Sequence, residues 1–180
     1  QDNTHFKVKT AKDPSGTMVI HIDYMFLRYG RQQKKTVLCA VETEHGEGIA
    51  SEVHSKGRGA EYAARSLEFF LREIGAIGGC ILQHDPEDAV AQVCKDLAER
   101  YPNIEVRKTP RKSSQSNGQV ENWHKRVQGQ IRTWRSFLEE KLGIKIDPDH
   151  VLMPWIIRHS GWTLSKMKKG ATGLSPLQSR

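Results

Sequence analysis

Long apolar runs are missing from this chain of 180 residues. No stretch approaches the roughly 18–20 residues that a membrane span needs, so a transmembrane segment is excluded. The first residues also lack the basic, then apolar, then small-residue order of a secretory signal peptide. The chain starts on Gln1 and is expected to be a fragment of a longer polypeptide. Cysteine is scarce: Cys39, Cys80 and Cys94 are far apart, and no C-x-x-C or Cys/His cluster has zinc-ligand spacing. They are expected to be buried or free thiols of a reducing compartment rather than a structural zinc site. There is no internal repeat and no low-complexity segment. With 37% hydrophobic and 27% charged residues, wholesale disorder is excluded too. What is left is a chain long enough for one sizeable core, expected to be one domain over 18–180 preceded by a linker or edge strand over 1–17.

Charge is present and unevenly placed. Residues 1–104 hold 13 Lys/Arg against 15 Asp/Glu, a net −2, whereas residues 105–180 hold 15 against 6, a net +9. A basic half suits a polyanion, of which nucleic acid is the commonest, although a solvated basic surface gives the same count.

Residues 18–26 read as a strand, apolar on both faces toward its middle, as a central strand would be. Residues 36–41 and 49–53 make two more, and the short connections favour antiparallel pairing. Residues 59–74 have helical spacing, with Tyr62, Leu67, Phe70, Leu71 and Ile74 toward one side. A strand over 80–84 runs into Asp85-Pro86, where Asp85 fits the N-cap and Pro86 the first position of a helix. Val90, Val93, Cys94 and Leu97 form the buried face of that helix, and 104–106 is a short strand. Residues 111–118 are polar and breaker-rich, which predicts a mobile loop. A long helix is predicted from near Gln119 to Gly143, its stripe formed by Val120, Trp123, Val127, Ile131, Trp134 and Leu138. A last helix is predicted over about 149–169, with Leu152, Trp155, Ile156, His159 and Trp162 inward. Trp123 and Trp134 read as core residues and His159 as a buried, hydrogen-bonded histidine. Three antiparallel strands, then helix–strand–helix–strand, give an α/β fold: a mixed sheet covered by helices.

Three carboxylates stand out. Asp23 interrupts an apolar strand, where an unpaired carboxylate is costly unless a cation or an exposed strand end accommodates it. Asp85 lies at the carboxyl end of a strand, where open α/β sheets present ligands. Glu121 falls in the first turn of the long helix. Helix capping accounts for Asp85, and the helix dipole accounts for Glu121, as well as ligation does. If the three converge, the site suits Mg²⁺ or Mn²⁺.

Thirty-five residues separate Asp85 from Glu121, and Gln115-Ser116-Asn117-Gly118-Gln119-Val120-Glu121 resembles the signature in which a polar, glycine-containing loop leads into a catalytic Glu. With the upstream Asp23, this resembles the D,D-35-E arrangement of retroviral and retrotransposon integrases. The resemblance runs from about Met18 to the end, where Gly173-Leu174-Ser175-Pro176-Leu177 is similar to the motif closing many such cores. It implies a ribonuclease-H-like fold with a five-stranded sheet, three antiparallel strands followed by two parallel ones, flanked by helices. It also implies two Mg²⁺ (or Mn²⁺) ions, with Asp23 bridging both and Asp85 and Glu121 holding one each. The implied activity is trimming of donor DNA 3′ ends and their transfer into target DNA. Two departures are visible. Pro86-Glu87 stands where the family commonly has a small or amide residue and then Gly, which makes Glu87 a further candidate ligand. The 61 residues between Asp23 and Asp85 point to a divergent retroelement, or to an inserted turn around 31–35 or 44–48.

By the same resemblance Lys125 and Gln128, one and two turns after Glu121, match positions that contact donor DNA, and His124 occupies a place where an amide is common. Arg132 and Arg135 extend that face, and Lys108, Arg111, Lys112, Ser116 and Asn117 precede it; each is also explained as solvated surface. DNA (donor ends and target duplex) is the expected partner, and a homodimer or higher oligomer the expected assembly. A bacterial transposase core of the same superfamily, or a domesticated non-catalytic DNA-binding domain, are the alternatives. A eukaryotic element would work in the nucleus, a bacterial one in the cytoplasm.

Overall fold

The computed structural model describes residues 15–29, 33–53, 60–109, 114–170 and 172–180. Its centre is β1 (Val19–Tyr29), in which Ile20, Ile22 and Tyr24 are buried toward one face and Met25 and Leu27 toward the other. A strand apolar on both sides must lie inside a sheet covered on both sides. It does: β1 pairs antiparallel with β2 (Gln33–Glu42), which pairs antiparallel with β3 (Gly48–Val53). On its other edge β1 pairs parallel with β4 (Cys80–His84), and β4 pairs parallel with β5 (Ile104–Lys108). The order is β3-β2-β1-β4-β5, the expected mixed five-stranded sheet.

Helices α1 (Ala60–Glu73) and α2 (Asp88–Arg100) cover one face, packing Leu67, Phe70, Leu71, Val93 and Leu97 on Ile20, Ile22 and Leu38. Helices α3 (Ser114–Leu142) and α4 (Met153–Lys166) cover the other, packing Val120, Trp123, Val127, Ile156 and Ile157 on Met25, Val37 and Cys39. A short turn of helix, α5 (Pro176–Ser179), ends the chain, with Ser175 and Gln178 forming a capping box. Backbone contact fixes α4 on β3. A Cβ at Gly161 would lie 2.8 Å from the Ala50 nitrogen, and the Ser165 hydroxyl bonds both the N–H and the C=O of Gly48 at 2.8 and 2.6 Å.

Several boundaries differ from the sequence reading. Helix α2 begins at Asp88 with Glu87 at its N-cap, so Asp85 is not the cap and Pro86 is not the first helical residue. Instead the chain makes a tight turn, with Glu87 N–H donating to the Asp85 carbonyl at 2.6 Å. Helix α3 begins at Ser114, so part of the predicted loop is helical and Glu121 sits in the third turn. The packed segment that starts at Val120 nucleates the helix, and adding turns to a formed helix is cheap even with poor formers. Helix α4 is shorter than predicted: Pro154 stands at its start, and 147–153 form turns closed by His150 N–H to Asp147 O and Met153 N–H to His150 O. Tyr62, Trp155 and Trp162 are exposed rather than inward. His159 is half-buried, stacked on Trp155 and Trp162 with centroids 4.5 and 5.4 Å away and edge-on to Trp134 at 4.7 Å. Trp123 is in the core; Trp134 is partly buried against it.

Candidate active site

Alternation along β1 turns His21 and Asp23 to the face of Met25, beneath α3. Asp23 is half-buried, opposite Cys39 of β2, and one carboxylate oxygen accepts the Tyr24 N–H at 2.7 Å. Burial, and then the Asp23 charge, push the Cys39 thiol well above its ordinary value. In the parallel β1–β4 register Ile22 stands opposite His84, so Asp23 and Asp85 are the next residues of two adjacent strands. The Asp85 carbonyl also receives His84 Nδ1 at 2.6 Å, which a carbonyl can only accept, so that nitrogen carries the proton.

His21 shares this corner. Burial lowers its pKa to about 4 against the opposing pull of Asp85, so the imidazole is neutral near pH 7. Its buried Nδ1 has no hydrogen-bond partner among the described residues. The sequence reading passed over His21, although its place two residues before Asp23 on one strand was the available signal. Glu87 lies elsewhere: its charge acts on Tyr24, which turns to the α2 face and whose hydroxyl is pushed up to about 12, first by burial and then by Glu87. Glu87 therefore associates with the opposite face of β1 from Asp23.

Glu121 is exposed on α3 between two anchors, Val120 and Trp123. The Trp123 indole N–H donates to Ile49 O at 3.0 Å, and the Gln119 side-chain amide donates to Thr43 O at 3.0 Å. These bonds fix the rotation of α3 over β1 and β2. Among the described residues no three or more His, Cys, Asp or Glu side chains are close enough to hold one metal ion. The backbone thus sets Asp23 beside Asp85, while Glu121 does not complete a three-ligand group with them. The two aspartates offer hard oxygen donors, and Mg²⁺ commonly takes one or two carboxylates and keeps its remaining waters, so this donor set fits such an ion.

Along α3, Lys125 and Arg132 are exposed on the same side as Glu121, and Gln128 is half-buried beside them. His124 is half-buried; burial lowers its pKa to about 4, and its Nε2 has no partner among the described residues. Arg135 is paired with Glu139 at 3.1 Å, and Glu139 also accepts the Ile146 N–H at 2.9 Å. That is a structural tie for the end of α3. Lys108 is exposed opposite His84, at the same sheet end as Asp85. Arg111 and Lys112 lie outside the described residues, as do the side chains of Ser116 and Asn117, whose backbone belongs to α3.

The HTLV-2 integrase catalytic core domain, solved in complex with magnesium in a trimeric form, superposes with a TM-score of 0.62 at 16% identity over 89% of this chain and 93% of that one. The BIV integrase catalytic core gives 0.62 at 18% identity over 91% and 93%. The fold is that of retroviral integrase catalytic cores. A chain of the simian T-cell lymphotropic virus intasome, solved in complex with PP2A regulatory subunit B56 gamma, gives 0.65 at 15% identity over 89% of this chain and 52% of that one. No family model and no curated protein matches the sequence.

Proposed function

We propose that this chain is a polynucleotidyl transferase that trims the 3′ ends of donor DNA and joins them to a target duplex. The observation that carries the reading is Asp23 and Asp85 side by side on adjacent parallel strands of an integrase-core fold, beneath the helix that bears Glu121. In this reading Asp23, Asp85 and Glu121 hold two Mg²⁺ or Mn²⁺ ions. Bound there, such ions would supply charge stabilisation for in-line displacement at a phosphodiester. The protein's own part is to hold the carboxylates at the sheet end and DNA along α3. Lys125 and Arg132 contact phosphates, Gln128 and His124 border the donor end, and Lys108, Arg111, Lys112, Ser116 and Asn117 are further DNA contacts in this reading. A neighbouring fold solved with magnesium supports the choice of ion.

The test is nicking and joining of short duplexes with Mg²⁺ or Mn²⁺, alongside metal-dependent thermal stabilisation. Activity that needs the ion and is lost in Asp23→Asn, Asp85→Asn and Glu121→Gln is expected; a variant retaining full activity removes its residue from the mechanism. A domesticated, non-catalytic DNA-binding domain is the second reading, favoured by the lack of a preformed three-ligand group among the described residues. Duplex binding with neither turnover nor a metal shift would select it.

The working unit in this reading is a homodimer or higher oligomer. Neighbouring cores were solved in dimeric and trimeric forms. Exposed Tyr62 and Phe69 on α1 line one groove with exposed Trp162 of α4, an apolar surface of the sort that assemblies cover. Phe69→Glu with Trp162→Glu should yield monomers in sedimentation; an unchanged oligomer would place the interface elsewhere. For a eukaryotic element the work is nuclear.

A further inference from the structure

A second cluster of cations lies off the crest of α3, in a cleft of about 690 Å³ between α3, the turn linking β2 to β3, and the segment after α4. Asn122 and Arg126 line it from the helix, Lys168 and Lys169 from the C-terminal side, and Glu44 and His45 from the turn. Three cations thus face one carboxylate. We propose that this cleft binds a phosphodiester of a DNA backbone, at a locus separate from Lys125 and Gln128; the proposal rests on the DNA-processing reading above.

Both walls are built before any ligand arrives. The Glu42 carboxylate accepts the amides of Glu44 and His45 at 2.6 and 2.7 Å, and Gln119 holds the Thr43 carbonyl at 3.0 Å. Opposite, Gly170 N–H donates to Leu174 O at 2.8 Å and Gly173 N–H to Gly170 O at 3.1 Å, with Gly173 at φ 78°. That positive φ suits glycine and lets the segment fold back on itself.

Arg126 is the reason to expect an anion. Its guanidinium is half-buried, its Nε is inaccessible without a hydrogen-bond partner, and no carboxylate pairs with it among the described residues. Its guanidinium lies over the Trp123 ring, 5.6 Å from the centroid. Burial shifts its pKa downward, which is what an uncompensated charge does. A charge held this way is costly unless an acceptor arrives. The fork of Nε–H and Nη–H matches two oxygens of a phosphate, and Lys168 and Lys169 add exposed positive charge around it.

Position names the source of that phosphate. Asn122 directly follows Glu121 in sequence, so the cleft adjoins the residue next to that carboxylate. At ~100° per residue, Asn122 and Arg126 lie roughly 100–140° round α3 from Glu121, whereas Lys125 and Gln128 lie within about 40° of it. One DNA track on the Glu121 face and a second further round the helix suit a reaction that must hold two nucleic-acid segments at once.

The experiment measures binding of a short fluorescent duplex across a salt series, for the unaltered chain, Lys168→Gln with Lys169→Gln, and Arg126→Gln. The exposed lysines can be changed without disturbing the core, and a thermal melt checks Arg126→Gln. The lysine pair should lower the slope of log K against log salt by about two, with affinity roughly tenfold weaker at moderate salt. Arg126→Gln should weaken binding in the same direction. Unchanged affinity and slope in both variants overturn the cleft while leaving the functional reading intact. No salt-dependent duplex binding by the unaltered chain overturns that reading, and with it the assignment to DNA. A parallel titration with inorganic phosphate separates the sources. Saturable phosphate binding that Arg126→Gln abolishes, with duplex binding untouched by any variant, makes this a free-anion site and overturns the proposal.

Discussion

The two faces of the sheet are both apolar but differ in what they leave open. Under α1 and α2, the core runs from Ile20, Ile22 and Leu38 through Leu67 and Leu97, and includes Cys80 and Cys94, whose thiols burial pushes up to about 12. Thiols kept so far from ionisation are inert filler. Under α3 and α4 the core is as dry at Trp123, Val127 and Ile157, yet its border carries Asp23, His21, Glu121 and the cationic cleft. One face thus shows packing of its apolar residues. On the other, the residues that pack also position the carboxylates proposed to react, so packing and chemistry should fail together there and separately across the sheet.

The largest expected effect tests that separation directly. Asp23→Asn removes charge and little volume, and should cut metal-dependent turnover by roughly 10²–10³-fold or more while leaving the melting temperature near its starting value. Leu67→Ala, on the opposite face, should cost about 2–5 kcal/mol of stability, read from denaturant curves, with turnover per folded molecule unchanged. An Asp23→Asn chain that melts early, or a folded Leu67→Ala chain that is inactive, would break the contrast.

Trp123 is where the two roles meet, since it is 1% exposed, holds Ile49 O and stands two residues from Glu121. Trp123→Ala should cost about 3–5 kcal/mol and also lower turnover of the molecules still folded. Gly161→Ala is a smaller disturbance of the same face. Its new Cβ would meet the Ala50 nitrogen at 2.8 Å, and α4 would be pushed off β3 at a cost of about 1–3 kcal/mol. A melt showing no loss in Gly161→Ala would mean that the helix yields without resistance.

Much of this arrangement is legible in sequence. The two-sided apolar run of β1 implied a central strand, and the 3.6-residue stripe of α3 gave its buried side, because period and burial are coupled directly. Helix ends were not legible. Asp85-Pro86 has the chemistry of a cap, yet the chain turns once more before α2; and 114–118, rich in poor helix formers, is drawn into α3 by packing further along. Trp155 and Trp162 carry a core signature by composition, and only tertiary position leaves them half outside, at 48% and 44% exposure. The adjacency of Asp23 and Asp85, with 61 residues between them, depended on a register between two distant strands, which no local pattern specifies. His21 and Arg126 were missed for a related reason: a lone histidine or arginine is unremarkable until its surroundings are known to lack a partner.

The smallest expected effect separates two basic residues on α3 that look alike in sequence. Arg135 is tied to Glu139, which in turn holds the Ile146 amide and so anchors the chain after the helix. Lys125 is exposed one turn beyond Glu121. A phosphate contact contributes about 0.9 to the salt slope of duplex binding, whereas a structural pair contributes nothing to it. Lys125→Gln should therefore lower the slope by about one and weaken binding a few-fold without changing the melt. Arg135→Gln should lower the melting temperature slightly and leave the slope alone. The reverse pattern would move the proposed DNA track toward the C-terminal end of α3, away from Glu121, and would dissolve the proposed link between the packed stripe of this helix and a DNA substrate.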